Sequence, residues 1–275
     1  MSPQFITVEG IRLAYLEKNP GIEKIIFFVH GNSSSSNTWR AQFGSELLSG
    51  YRLIAFDLPA HGQSELSPDY SLPALGRIMA QAVMSLAGNC SFIICGVSLG
   101  ANIVAEMLGH DLEAMGAVAI GSCAMGGEHT MEVVFQPGVD MRPSLEDDVP
   151  AEALRQYWTQ SALCCHDEGS EKYCLFEKDY YKVKDHFRSK MAATVMAGRI
   201  GDEVALLRQS AKPMLVLFGG EEKVCNIAYL DHAGLRLWQN KTFIIPGAGH
   251  FVHIDLPGST NQLLAAFAKD VLGSK

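Results

Sequence analysis

The chain has 275 residues, and 48% of them are hydrophobic, which is enough to bury a large core and excludes disorder as the main theme. The formal net charge is -8 and no lysine and arginine cluster occurs, which excludes nucleic acid as a partner because phosphate recognition needs a concentrated basic face. No apolar run approaches the ~20 residues of a membrane span.

The start of the chain has no basic segment followed by an apolar stretch, so we expect a protein without a signal peptide. The seven cysteines are an odd number, and several lie within apolar runs, where a thiol behaves as a small hydrophobic group. Unpaired, buried thiols fit a reducing compartment best, so we expect a cytoplasmic location.

The first predicted elements are two antiparallel strands in FITVEGIRLAYLE, joined by a turn at Glu9 and Gly10. Short apolar runs then predict strands that are buried on both faces, and helical spacing separates most of them. These runs are KIIFFVH, YRLIAFD, SFIICG, GAVAIG, MLVLFG and KTFIIPG.

The interval 122–210 has helical patterns and no comparable strand run, which predicts a helical insertion. The sequence therefore predicts an α/β fold with a mostly parallel eight-stranded sheet and helices on both faces. Residues 1–121 and 211–275 would form the core, and residues 122–210 would form a helical cap over it.

Ser98 lies in the motif Gly-x-Ser-x-Gly of CGVSLG, after a buried strand and before a helical pattern. This motif is typical of a nucleophile elbow, a tight turn between a strand and a helix. The elbow holds its serine on a strained turn above the sheet, where only small residues such as Gly96 and Gly100 avoid clashes. The strand, turn and helix context predicts that Ser98 is a nucleophile.

A serine hydroxyl needs a base, and the partners in such a fold follow in the order serine, acid, histidine. His250 lies in a glycine-rich loop just after the last predicted strand. His232 lies in a segment with a helical pattern, and His253 lies three residues beyond His250. We predict His250 as the base. Sites gather at this carboxyl edge of the sheet.

The stretch LFGGEEKV offers adjacent carboxylates at Glu221 and Glu222, which cannot both point inward. Counting from Gly219 at the strand end favours Glu222 as the acid that orients His250, with Glu221 left as the alternative. The acid holds the imidazole in the correct tautomer and stabilises the imidazolium.

The turn in FFVHGNSSSSNTW follows an early strand, and its backbone N–H groups can face the serine. Asn32 and Leu99 are the expected donors of an oxyanion hole, in which one donor is worth roughly 3 kcal/mol. His30 and His61 are interpreted as histidines that brace loops by hydrogen bonds.

The stretches HGNSSSS, DLPAHGQS, GVSLG and GAGH resemble the α/β-hydrolase superfamily across nearly the whole chain. Within it, HGNSSS, a glutamate as acid and the tail LWQNKTFIIPGAGH are similar to the α/β-hydrolase type of N-acyl-homoserine lactonase. The resemblance implies Ser98, Glu222 and His250 as the triad, Asn32 in the oxyanion hole, and Tyr157 as a cap tyrosine that hydrogen-bonds the substrate.

Val97 and Ala101 depart from the tryptophan and glycine of that lactonase branch, so the size of the pocket and the substrate stay open. We expect apolar cap residues to line a pocket that fits an acyl chain, with Phe135, Tyr157 and Trp158 as substrate contacts. The candidates for this lining are Met125, Met131, Phe135, Tyr157, Trp158, Tyr180 and Met191.

The stretch CCHD, with Cys174 beyond it, lacks the second pair of ligands of a zinc site, so we predict no metal. No Rossmann or P-loop fingerprint occurs, so no cofactor is expected.

The predicted activity is hydrolysis of a neutral, partly apolar ester through an acyl-enzyme on Ser98, with a lactone such as an N-acyl-homoserine lactone as the leading small-molecule substrate. A general carboxylesterase or thioesterase, a hydrolase of C–C bonds and a slowly hydrolysing ligand receptor remain alternatives. The sequence leaves the oligomeric state open.

Overall fold

The computed structural model describes residues 1–163 and 170–273, and within them one sheet of eight strands forms the centre of the molecule. Its strand order is β1-β2-β4-β3-β5-β6-β7-β8, with β1, β2 and β4 paired antiparallel and the other pairs parallel. The strands are β1 Gln4–Val8, β2 Ile11–Lys18, β3 Lys24–Val29, β4 Arg52–Phe56, β5 Ser91–Val97, β6 Gly116–Ile120, β7 Met214–Gly219 and β8 Phe243–Ile245. The predicted mostly parallel sheet is confirmed.

The antiparallel start of the sheet is the hairpin that the sequence predicts. Val8 pairs with Ile11, and Glu9 and Gly10 both have positive φ angles, of 50° and 79°. Two left-handed residues in a two-residue loop match the twist of the flanking strands.

Helices lie between and after the strands. In chain order they are α1 Arg40–Phe43, α2 Leu72–Ala87, α3 Leu99–Met107, α4 Met131–Val134, α5 Arg142–Leu145, α6 Ala151–Gln156, α7 Glu171–Tyr180, α8 Phe187–Met196, α9 Glu203–Ser210, α10 Val252–Asp255 and α11 Pro257–Leu272. Short 3₁₀ segments occur at Ser36–Trp39, Glu46–Leu48 and Trp238–Asn240, and a π-helical segment spans Tyr157–Ala162.

The central strands are covered on both faces. Every residue of β6 and β7 is buried, which explains why these strands are continuous apolar runs rather than alternating ones. Helices α2, α3 and α9 form one contacting group, and α1, α10 and α11 form another.

Between β6 and β7 the described residues contain α4 to α9 and no strand of the main sheet. The boundaries of the cap at residues 122 and 210 stay predictions. No helix of residues 1–163 and 170–273 combines the length and apolar character that a membrane crossing needs. The predicted cytoplasmic location stays a prediction.

The segment between β6 and β7, the predicted cap, is hydrogen-bonded to loops at the carboxyl edge of the sheet. The side chain of Asn32, after β3, donates to the carbonyl of Ser144 at 2.6 Å. After β7, the amide of Asn226 donates to the carbonyl of Val134 at 2.8 Å, and that of Gln136 to the carbonyl of Val224 at 2.9 Å. These bonds fix the cap over the edge where the predicted catalytic residues lie.

Candidate active site

Ser98 lies between β5 and α3 with φ 52° and ψ -123°, a backbone conformation that non-glycine residues rarely adopt. The turn is held from two sides, since the Ser98 amide donates to the Ile120 carbonyl at 2.9 Å and its carbonyl accepts from the Ala101 amide at 2.7 Å. Strain of this kind persists where surrounding structure over-determines it, and it clusters at active sites.

The two glycines of the motif are required by close backbone approach. A Cβ atom on Gly96 would lie 2.2 Å from the Gly100 carbonyl oxygen, and one on Gly100 would lie 2.3 Å from the Val29 carbonyl oxygen. Any side chain at either position would therefore push α3 away from β3 and β5, and Ser98 would lose its place at the sheet edge.

His250 and Glu222 form a hydrogen-bonded pair in which neither side chain is exposed to solvent. His250 Nδ1 and Glu222 Oε2 are 2.8 Å apart. The other carboxylate oxygen, Oε1, accepts from the amides of Val224 at 2.7 Å and Cys225 at 3.1 Å. Burial alone raises the pKa of Glu222, but the charge and hydrogen bond of His250 lower it overall, so the carboxylate is held ionised.

The other candidates for acid and base lie elsewhere. Glu221 is exposed, and its amide donates to the Ala248 carbonyl at 2.9 Å. His232 is exposed in a turn rather than a helix, so its predicted helical setting is wrong: the segment from 226 to 233 closes as successive tight turns. His253 is buried, with Nε2 2.9 Å from Thr38 Oγ1 and its ring against Trp39.

Ser98 and His250 are not hydrogen-bonded to each other in this structure. His250 Nε2 is buried and has no hydrogen-bond partner, while Ser98 Oγ lies 3.9 Å from Cys123 Sγ. Catalytic hydrogen bonds of this type often tighten only in the complex with substrate.

Cys123 and Cys225 lie beside the His250 ring, and their sulfur atoms are 3.2 Å apart. The hydrogen bond from Cys225, opposed by burial and helped by His250, lowers the pKa of Cys123 to about 6. Burial lowers the pKa of His250, but Glu222 and then Cys123 raise it to about 10. Glu222 and Cys123 therefore stabilise the imidazolium that forms when His250 accepts a proton.

Asn32 and Leu99 line the same cavity as Ser98. Leu99 is the first residue of α3, so its N–H has no acceptor within the helix and is available to an oxyanion. The Asn32 side chain is held by two bonds, to the Ser144 carbonyl and from Ser33 Oγ at 3.0 Å, which fixes the loop that carries its amide.

The bracing role predicted for His30 and His61 is confirmed. Both rings are buried, and their Nε2 atoms accept from the amides of Leu58 at 3.0 Å and Ser33 at 3.3 Å. Burial lowers the pKa of each histidine, so both stay neutral and able to accept these bonds.

The cavity above Ser98 has a volume of about 80 Å³ and a largely apolar wall. Its wall consists of Asn32, Leu72, Ser98, Leu99, Asn102, Cys123, Met125, Met131, Phe135, Met141, Ser144, Leu145, Tyr157, Met191, Val195 and Val224. The predicted lining residues Met125, Met131, Phe135, Tyr157 and Met191 are among them.

Trp158 and Tyr180 are not part of this wall. Trp158 stacks on Phe176, with ring centroids 4.6 Å apart, and packs near Phe251. Tyr180 is covered by the Arg188 guanidinium, 4.0 Å from the ring centroid. The π-helical turn that presents Tyr157 to the cavity directs Trp158 the other way, into the packing between cap and core.

Sequence reasoning missed the two cysteines beside His250. Cys123 follows β6 and Cys225 follows β7, and these neighbouring parallel strands end at the same edge of the sheet. Thiols placed three and six residues after these two strand ends were the available signal. The stretch CCHD, on which the sequence prediction about metals was based, lies outside the described residues.

Comparisons with known proteins agree with this architecture. A model of the alpha/beta hydrolase family matches residues 26–263. The bifunctional esterase/perhydrolase of Acinetobacter calcoaceticus is 24% identical over 295 residues, covering 96% of this chain and 98% of that protein. The dihydrolipoyllysine-residue acetyltransferase component of the acetoin cleaving system of Cupriavidus necator is 25% identical, covering 95% and 67%.

Among solved structures, N-acyl homoserine lactonase AidH complexed with N-butanoyl homoserine superposes with a TM-score of 0.87 at 23% identity. The match covers 100% of this chain and 99% of the lactonase. At this identity the likeness shows that the two chains share a fold.

Proposed function

The chain belongs to the alpha/beta hydrolase family, and from this premise we propose that it is a serine hydrolase of a neutral carboxylic ester, with an N-acyl-homoserine lactone as its substrate. The observation that carries the proposal is the buried Glu222–His250 pair, whose free ring nitrogen lies beside the cavity that Ser98 opens into. A carboxylate, an imidazole and a strained serine are the parts of a nucleophilic hydrolase.

In the proposed reaction Ser98 Oγ attacks the ester carbonyl while His250 Nε2 takes the hydroxyl proton. The amides of Asn32 and Leu99 stabilise the oxyanion of the tetrahedral intermediate. The C–O bond to the alcohol then breaks and His250 returns the proton to the leaving oxygen. Water, deprotonated by His250, attacks the acyl-enzyme, the bond to Ser98 Oγ breaks, and His250 returns the proton to Ser98 Oγ as the acid leaves, with Glu222 holding the imidazole throughout.

The size and polarity of the cavity support a compact neutral substrate. A cavity needs about 10–15 Å³ for each water-sized occupant, so about 80 Å³ accommodates roughly the six non-hydrogen atoms of a lactone ring with its carbonyl oxygen. The acyl tail would extend along Met125, Met131 and Met191 in the cavity wall. The lactone ring, which carries the reacting carbonyl, would lie near Ser98 and Asn32.

Tyr157 supports the assignment of a polar head group at one end of this cavity. Its ring is buried in the wall, and its hydroxyl lies 3.5 Å from Ser144 Oγ. A buried hydroxyl with one long hydrogen bond can also donate to a substrate carbonyl. We propose that it binds the amide oxygen of an acyl-homoserine lactone.

A fluorophosphonate probe tests the nucleophile. We expect it to label Ser98, and Ser98→Ala to remove both the label and turnover. Ser122→Ala is the matched control, because Ser122 is buried at the same sheet edge but its hydroxyl bonds to Tyr229 at 2.9 Å. Labelling at a different serine, or full activity of Ser98→Ala, would refute the assignment.

Mass spectrometry tests the substrate. We expect acyl-homoserine lactones to gain one water with the amide intact, and kcat/KM to exceed that of linear esters with the same tail. A lactone leaving group stays tethered to the acyl-enzyme and can reclose unless His250 protonates it promptly. If linear esters or thioesters turn over and lactones do not, a general esterase replaces the lactonase.

A further inference from the structure

Three metal-ligating side chains that the proposed reaction does not use as a set meet beneath the cavity. Cys123 follows β6, Cys225 follows the Glu222 turn after β7, and His250 follows β8. Their two sulfur atoms and one ring nitrogen all lie within 4.8 Å of one another, and all three residues are buried.

We propose that Cys123, Cys225 and His250 bind one thiophilic divalent metal ion, zinc or cadmium, and that the bound ion inhibits the hydrolase. Two thiolates and one imidazole are a donor set that zinc accepts in sites with an open fourth position. Binding forms two S–metal bonds and one N–metal bond, and any protons held by the two thiols and by His250 Nε2 leave to solvent. The two thiolate charges then balance the charge of the ion inside the protein.

The separation of the two sulfurs fits a tetrahedral ion after a small adjustment. Metal–sulfur bonds of about 2.3 Å place the two sulfurs of a tetrahedral site about 3.8 Å apart. The thiols are 3.2 Å apart, so they need to separate by roughly half an ångström. Ser98 Oγ, 3.9 Å from Cys123 Sγ, lies where it or a water can supply the fourth ligand.

The histidine is already oriented as a metal ligand. Glu222 holds His250 Nδ1 at 2.8 Å, which leaves Nε2 as the free nitrogen, and Nε2 is buried without a hydrogen-bond partner. A carboxylate that accepts from the non-ligating nitrogen is the usual support of a metal-bound histidine. Glu222 is itself fixed by the amides of Val224 and Cys225.

Inhibition follows because the metal and the Ser98 proton need the same lone pair on His250 Nε2. An occupied site leaves no base for the nucleophile. This consequence rests on the proposed hydrolase function, whereas the binding of the ion rests only on the three ligands.

Cadmium titration of the reduced protein tests the binding, through the ultraviolet charge-transfer band of cadmium thiolates and metal analysis after dialysis. We expect one ion per chain in the wild type and at least about tenfold weaker binding in Cys123→Ser and Cys225→Ser. Cys90→Ser is the control, because Cys90 precedes β5 at the opposite edge of the sheet. Circular dichroism verifies that each variant is folded, and Cys225→Ala provides a second substitution at the same position.

Zinc inhibition of ester hydrolysis tests the consequence, with each variant's rate compared with its own rate in a chelator. We expect inhibition in the wild type and Cys90→Ser, reversal by the chelator, and at least about tenfold weaker inhibition in both Cys→Ser variants. Absent cadmium binding, or equal binding in folded Cys→Ser variants, overturns the site. If one ion binds per chain and hydrolysis is undiminished, the proposed inhibition is wrong. If the protein hydrolyses no ester, the proposed function fails, and the cadmium titration alone still tests the metal site.

Discussion

Glu222→Gln changes one atom of a buried pair and should abolish most of the activity. Glu222 Oε1 accepts from the amides of Val224 and Cys225, so the glutamine oxygen must occupy that position. The amide nitrogen then faces His250 Nδ1 at the 2.8 Å of the present hydrogen bond. Because both groups cannot donate, the imidazole proton moves to Nε2, and the nitrogen that should receive the Ser98 proton is already protonated.

The magnitude follows from the cost of the wrong tautomer. Exchanging the orienting carboxylate for an amide in a Ser-His-Asp protease lowers kcat by about 10⁴-fold, which corresponds to about 5.4 kcal/mol of transition-state stabilisation. Glu222 is not part of the cavity wall, so KM should change little. Steady-state kinetics on a chromogenic ester measures kcat and KM, and the rate of fluorophosphonate labelling measures the reactivity of Ser98.

Glu221→Gln is the matched control, since it makes the same chemical change on the neighbouring exposed residue. We expect its kcat to stay within about twofold of the wild type. If Glu221→Gln loses its activity while Glu222→Gln stays active, the orienting acid is Glu221 and not Glu222. Retention of more than about a tenth of the activity by Glu222→Gln would refute the tautomer argument.

Three further predictions concern the surroundings of Ser98, Glu222 and His250. Cys123→Ala should move the rising limb of the pH profile of kcat/KM to lower pH, because Cys123 adds to the raised pKa of His250, and an unmoved limb would contradict this. Gly100→Ala should lower the free energy of unfolding in urea by about 2 kcal/mol, since its Cβ would meet the Val29 carbonyl at 2.3 Å, and unchanged stability would refute the close approach. Burial raises the pKa of Glu203 to about 8, so the folded state keeps a proton that the unfolded state has lost, and stability should fall from about pH 5 to about pH 8. Glu203→Gln should flatten that fall, as measured by urea midpoints, and an equally steep fall would show that another group causes it.

Some features of the candidate site could be predicted from local sequence because local physics decides them. The Glu9–Gly10 hairpin depends on two adjacent residues that accept positive φ, and the elbow at Ser98 depends on glycines two residues away on each side. The buried strands were visible as continuous apolar runs, since strands covered on both faces need no polar alternation.

The partners of His250 were only partly determined in this way. Counting from the end of β7 favoured Glu222, but the choice over Glu221 depends on which carboxylate turns inward, and the fold decides that through the amides of Val224 and Cys225. Likewise, helical spacing could not tell whether Trp158 faces the cavity, because a π-helical turn changes the rotation between neighbouring side chains.

Only the tertiary structure decided that Cys123 and Cys225 meet. They are 102 residues apart in the chain, and their sulfurs come within 3.2 Å because β6 and β7 are neighbours in the sheet. By itself the sequence determined which residues form strands, elbow and loops, since those depend on nearest neighbours along the chain. Strand order depends on how the whole core packs, and that packing placed two thiols beside His250.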